Sequence, residues 1–228
     1  MAPGWHIGTG SNPGVEAGTL TPMSDHDAEL QTHWQRHVSA DTRQLDGVLA
    51  RHREKHRRYH TVGHVVGVLR LVDDLSGAES ADDPAAIAAA AFYHDAIYEP
   101  AYPANERASA RLARRDLDAL GWEHDRIDHV AAMIEATAHH RAPVDVDTAI
   151  LIDADLAILG AEPAAYGEYI ARVRAEYRAL DDAEWADGRR DVLEGLLDRE
   201  SIFLTDTGRG RWEQRARANL VAELATLG

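Results

Sequence analysis

There is no cysteine among the 228 residues, which excludes a disulfide framework and thiolate metal ligation, so any metal would have to be held by His and carboxylates. Bulky β-formers are also sparse. Only two Phe and seven Tyr occur, against abundant Ala and Leu, a balance that favours helix over sheet. Positive charge is in deficit too. With 24 Lys and Arg against 39 Asp and Glu, the formal charge of −15 argues against a nucleic-acid polymer or an anionic membrane as main partner. Long apolar runs are missing: the stretch Ala85 to Phe92 is far too short to span a bilayer, and the first residues lack the basic-then-apolar order of a signal peptide. These absences leave the expectation of a reducing, cytoplasmic setting. What is present, 45% hydrophobic residues, suffices for a sizeable core in an all-α protein.

Residues 1–22, rich in Gly and Pro without apolar periodicity, read as a flexible tail, and 23–228 as one folded domain. Ser24 or Asp25 is positioned to cap a helix bearing Leu30, Trp34 and Val38, and a second helix carries Leu45, Val48 and Leu49. A buried helix follows Val65. Asp83-Pro84 has the cap-then-proline form of a helix start, and the alanine-rich run it opens ends at His94-Asp95. Another helix runs from Ala104 to Leu120, closed by Gly121 in the left-handed conformation. The next spans Asp125 to about His139, before Pro143. Asp147 or Thr148 opens the apolar stretch 149–159, closed by Gly160. Three more helices are expected over 163–180, 183–197 and 211–227, with Gly208 and Gly210 marking the last turn. Apolar faces on these last helices offer a route to an oligomer.

The chemistry concentrates at four places. His60 and His64 are four apart and share a helix face if the helix already includes His60. His94-Asp95 delivers an imidazole and a carboxylate together from the end of an apolar helix, the donor types a hard or borderline divalent cation takes. Asp153 and Asp155 interrupt an otherwise apolar helix, and a buried carboxylate needs compensation, most simply by a cation. His139 and His140 close a helix, where they are either solvent-facing groups favoured by the dipole or further ligands.

The order His64, His94-Asp95, Asp155 resembles the HD superfamily of metal-dependent phosphohydrolases, defined by H…HD…D on separate helices. Tyr59-His60-Thr-Val-Gly-His64, Ala91-Phe-Tyr-His-Asp-Ala-Ile-Tyr98, Asn105-Glu106 with Ser109-Ala110, Asp153-Ala-Asp-Leu-Ala-Ile-Leu-Gly160, and Tyr166-Gly-Glu-Tyr169 with Arg174-Ala-Glu-Tyr177 extend the resemblance over about residues 25–225. It implies an HD-domain helical bundle in which His64, His94, Asp95 and Asp155 bind one divalent metal ion or two (Mg, Mn, Fe, Co, Ni or Zn). Asp153 then lies behind the ligand set. His60 matches the histidine that protonates the leaving oxygen in phosphodiesterase relatives, and an imidazole suits that work at physiological pH. Asp95 would also orient the attacking water, and Glu106 would hydrogen-bond a ligand or water.

Arg57, Arg58, Arg107 and Arg111 are placed to offset the charge of a small phosphorylated substrate, and His139 is favoured over His140 as a substrate or second-metal contact. Tyr166, Tyr169, Arg174, Glu176 and Tyr177 read as a packing and hydrogen-bond cluster that supports the site. The function expected is hydrolysis of a phosphate ester of a small molecule or nucleotide by metal-activated water. The alternatives are a catalytically silent HD-fold nucleotide or metal sensor and an HD-type di-iron oxygenase, the latter drawing extra ligands from His139, His140 or Glu106.

Overall fold

A computed structural model describes residues 25–100, 102–140 and 145–227. Among these the regular structure is helical: α1 (Asp25–His37), α2 (Arg43–His52), α3 (Val62–Glu79), α4 (Pro84–Tyr93), α5 (Asn105–Ala119), α6 (His124–Ala136), α7 (Val146–Leu156), α8 (Pro163–Glu176), α9 (Asp182–Leu197) and α10 (Asp206–Leu224). A short 3-10 segment, Ala157–Gly160, follows α7. The tail expected at 1–22, the cap at Ser24 and the stop at Pro143 fall outside the described residues. No described helix is long and apolar enough to cross a membrane.

The core explains the composition. Helix α4 is buried from Ala86 to Tyr93, with α1, α3, α5, α6 and α7 packed around it. A helix enclosed on all sides has no polar face, and small Ala side chains let its neighbours approach closely. Its start is fixed as the sequence suggests, Asp83 accepting from the Ala86 amide at 3.0 Å ahead of Pro84. Helix α7 is buried on most of its surface because it faces two clusters. Ile150, Leu151 and Ala154 join the larger core with α1 to α6, while Ile152 and Leu156 join a second one with Leu193, Phe203 and Leu220.

Several expected boundaries move, each for a local reason. Helix α3 begins at Val62, so His60 precedes the helix that carries His64. The cap of α7 is Asp145, which accepts from the Thr148 amide at 2.7 Å; Asp147 instead accepts from the amides of Asp82 and Asp83, at 2.8 and 3.0 Å. Helix α6 stops at Ala136, short of His139. Helix α10 starts five residues before the expected point. Thr205 caps it, and Gly208 and Gly210 lie inside its first turns. Gly208 is needed there: a Cβ would stand 2.3 Å from the Asp153 carboxylate, which clamps this helix start. Gly121 takes the left-handed conformation expected after α5, with φ of 80°.

Candidate metal centre

Two helices and one turn converge where α7 passes between the two cores. From α3 comes His64, one turn in; from the turn closing α4 come His94 and Asp95; from the last turn of α7 comes Asp155. The facing atoms are close: His64 Nε2 to His94 Nε2 3.0 Å, His64 Nε2 to Asp155 Oδ1 3.3 Å and His94 Nε2 to Asp95 Oδ2 3.2 Å. The diagonals His64 Nε2 to Asp95 Oδ2 and His94 Nε2 to Asp155 Oδ1 are 3.5 and 3.6 Å. Nitrogen and oxygen donors about 2.0–2.2 Å from one shared ion stand ~3.0–3.5 Å apart; His64, His94 and Asp155, whose facing atoms all lie within 4.8 Å of one another, could hold a divalent cation, with Asp95 beside the two imidazoles. His94 is prepared for that role, since its Nδ1 donates to the Ala91 carbonyl at 2.9 Å and leaves Nε2 with its lone pair inward.

Electrostatically the four behave as one unit. Burial opposes charge on each, yet the mutual contacts prevail: His94 and His140 beside Asp95 and Asp155 respectively, with His64, hold both carboxyls well below the usual range. The same carboxylates raise the proton affinity of His64 and His94 against their burial. Protons and a cation therefore compete for the same nitrogens.

Asp153 and Asp155, only two apart, point in different directions. Asp153 is fully buried and accepts from the Leu204 amide (2.7 Å), the Thr205 amide (2.8 Å) and the Thr205 hydroxyl (2.7 Å). It anchors α10. Burial raises its pKa, and those donors offset part of the rise.

Beside the four donors stands His60. Its Nε2 lies 3.9 Å from Asp95 Oδ2, while its Nδ1 donates to Glu176 Oε2 at 2.7 Å. Glu176, near the end of α8, is buried; its Oε1 accepts the amides of Arg58, Tyr59 and His60 at 2.6, 2.8 and 3.0 Å, and its Oε2 also accepts from the Tyr98 hydroxyl at 3.0 Å. Burial disfavours the carboxylate, but His60 and the amides hold its pKa at about 2. The result is an imidazole fixed in orientation by a charged partner, with its other nitrogen turned toward Asp95.

Other expected contacts are not brought together. Arg57 is buried and donates to the carbonyls of His60 (3.1 Å), Asp95 (2.8 Å) and Ala96 (3.2 Å), so it braces the site from behind instead of meeting a substrate. Arg58 is exposed and donates to the carbonyls of Lys55 and Arg57. Arg107 and Arg111 are exposed on α5, and half-buried Glu106 makes no hydrogen bond or ion pair among the described residues. The motif around Glu106 serves the chain after Asp95: Asn105 pairs with both backbone groups of Glu99, at 3.0 and 2.9 Å, and Ser109 with those of Ile97, at 2.9 and 3.3 Å. His139 is exposed. Its neighbour His140, in the left-handed conformation with φ of 46°, is the one that reaches Asp155, Nε2 to Oδ2 3.1 Å. Because α6 ends early, the chain turns between the two histidines, and Arg199 holds both their carbonyls.

The cleft above the centre, about 520 Å³, is lined by Tyr59, His64, Gly67, Asp155, Ile158 and Trp212, and its cations are Arg172 and Arg215. Nothing in the sequence distinguishes those two from ordinary solvated arginines on amphipathic helices. Glu176 holds the His60 ring and backbone as a member of the supporting hydrogen-bond cluster expected from the sequence, although its pairing with His60, 116 residues away, was not signalled.

The chain matches no family model, no curated protein and no solved structure.

Proposed function

We propose that this protein is a metal-dependent phosphohydrolase of the HD type, cleaving a phosphate ester of a small molecule or nucleotide. The observation that carries the reading is the pairing of four converged N and O donors with a separately held imidazole at their edge. A divalent cation in such a set lowers the pKa of a nearby water and offsets charge on phosphoryl oxygens. The chain's own residues supply the rest. Asp95 is positioned to accept a hydrogen bond from the attacking water. His60, its Nδ1–H held by Glu176, presents Nε2 to protonate the departing oxygen. Arg172 and Arg215, on the cleft walls, take the place first given to Arg57, Arg58 and Arg107 in offsetting substrate charge.

A binding-only sensor would need the donors but not a proton donor at their edge, the place His60 Nε2 occupies. The test is metal content by plasma mass spectrometry on wild type, His94→Ala and Asp95→Ala, with a phosphate-release screen on the metal-replete protein. Metal lost in both variants, with phosphate released by wild type alone, supports the hydrolase. Metal without turnover would move the weight to a sensor, and equal absence of metal in all three after reconstitution would overturn the reading.

A further inference from the structure

A second set of donors lies on the far side of α3, sharing no residue with the first. His33 and His37 are four apart on α1, so their rings stand on one face, nearly parallel at 19° with centroids 6.3 Å apart. Asp73, on α3, faces both of them: Oδ2 is 3.7 Å from His33 Nδ1 and Oδ1 is 3.6 Å from His37 Nε2.

Those two nitrogens are buried and have no hydrogen-bond partner among the described residues, and the His37 side chain is nine-tenths buried. Orphaned buried nitrogens are a standing cost in a folded protein. A carboxylate merely hydrogen-bonded to an imidazole would close to about 2.7–3.0 Å, and here it does so with neither ring. The spacing is instead near the ~3.0–3.5 Å between donors that share one ion, and all three atoms lie within 4.8 Å of one another.

We propose that His33, His37 and Asp73 form a second divalent-metal site, for Zn²⁺ or a similar borderline transition metal, that ties α1 to α3. Two imidazoles and a carboxylate select such ions over Mg²⁺ or Ca²⁺, which prefer all-oxygen sets. Asp73, about one-third exposed, gives the ion access from solvent. The Arg36 guanidinium, 3.7 Å from Asp73 and largely exposed, is the competing cation and is free to swing away.

The test is Zn²⁺ titration of the full, chelator-stripped chain by calorimetry. Wild type should bind two ions, Asp155→Ala one, Asp73→Asn one, and the combination of both none. In the Asp155→Ala background, Zn²⁺ at a hundredfold excess over Kd should raise Tm by about 5–10 °C, and adding Asp73→Asn should erase the rise. Arg36→Gln should tighten binding at this site severalfold, and Mg²⁺ should not substitute.

Should the first centre bind no metal, Asp155→Ala would match wild type while Asp73→Asn still lost its ion, so the two readings fail separately. Asp73→Asn and His33→Ala that bind Zn²⁺ with the stoichiometry and affinity of their parent would overturn the proposal. Because Asp73 is partly exposed, its amide variant should remain folded and decide the matter even if His37→Ala does not.

Discussion

Asp153 and Asp155 sit two residues apart on one helix, and removing either carboxylate should have opposite consequences for the metal. Asp153→Ala leaves two buried amides and a hydroxyl without their acceptor at the start of α10. Hydrogen bonds to a charged group contribute about 1.5–3 kcal/mol each, and the desolvation of the lost carboxylate offsets part of the sum, so a net cost of ~3–5 kcal/mol follows. For a chain of this size that lowers Tm by roughly 10 °C. Metal binding at the first centre should survive, because Asp153 touches none of its donors.

Asp155→Ala should do the reverse for the metal. It removes the carboxylate that faces both His64 and His94, so the metal is lost, and the metal-free Tm falls as well because those imidazoles and His140 lose the charge they face. The ion's own contribution, about 2.7 kcal/mol at a hundredfold excess over Kd, should vanish with it. Calorimetric Tm and metal content, each measured with and without chelator, read both variants. An Asp153→Ala protein with normal Tm, or an Asp155→Ala protein that keeps the ion at this centre, would refute the assignment of roles.

Glu176→Gln replaces the acceptor of the His60 Nδ1–H with a donor, which forces the other tautomer; a loss of 1.5–3 kcal/mol in charge-assisted bonding predicts a fall of about 10–150-fold in phosphate release with metal content unchanged, and a full rate in the variant would dismiss the acid role. Acid stability should follow two groups. Burial, helped by the neighbouring Arg57, holds His52 down to about 3, so protonation of the unfolded chain costs stability as pH falls from 6.5 toward 3. Glu176, at about 2 against an ordinary 4.5, contributes ~3 kcal/mol that is complete above pH 4.5 and is lost as pH falls through 2. Urea midpoints between pH 7 and 3 should therefore decline from near pH 6.5 downward, and a flat profile would contradict both. Gly208→Ala drives a Cβ into a carboxylate that three donors hold in place, and should lower stability by about 1–3 kcal/mol in the same assay.

Much of the helical architecture was readable from local physics. The Asp83-Pro84 start, the left-handed Gly121 and the apolar runs of α4 and α7 depend on residues within a turn or two of each other, and local sequence carries them. The need to compensate a carboxylate beside an apolar run marked Asp95, Asp153 and Asp155 alike; the choice of Asp155 over Asp153 came only from the resemblance, and it is packing that sets Asp155 against His64 and His94 and Asp153 against the Leu204 and Thr205 amides. The pairings that the sequence did not signal share another property. His60 and Glu176, Asp153 and Thr205, and His33 and His37 with Asp73 are pairings between elements far apart in the chain, and no period or cap signals which faces will meet. Arg57 and Arg215 are the same residue type with opposite fates, one bracing three carbonyls from within, the other lining an open cleft. Sequence alone determined that the chain is helical and which donor types it can offer. Only tertiary packing decided which donors face each other, because burial and distance, not residue type, separate a ligand from an anchor.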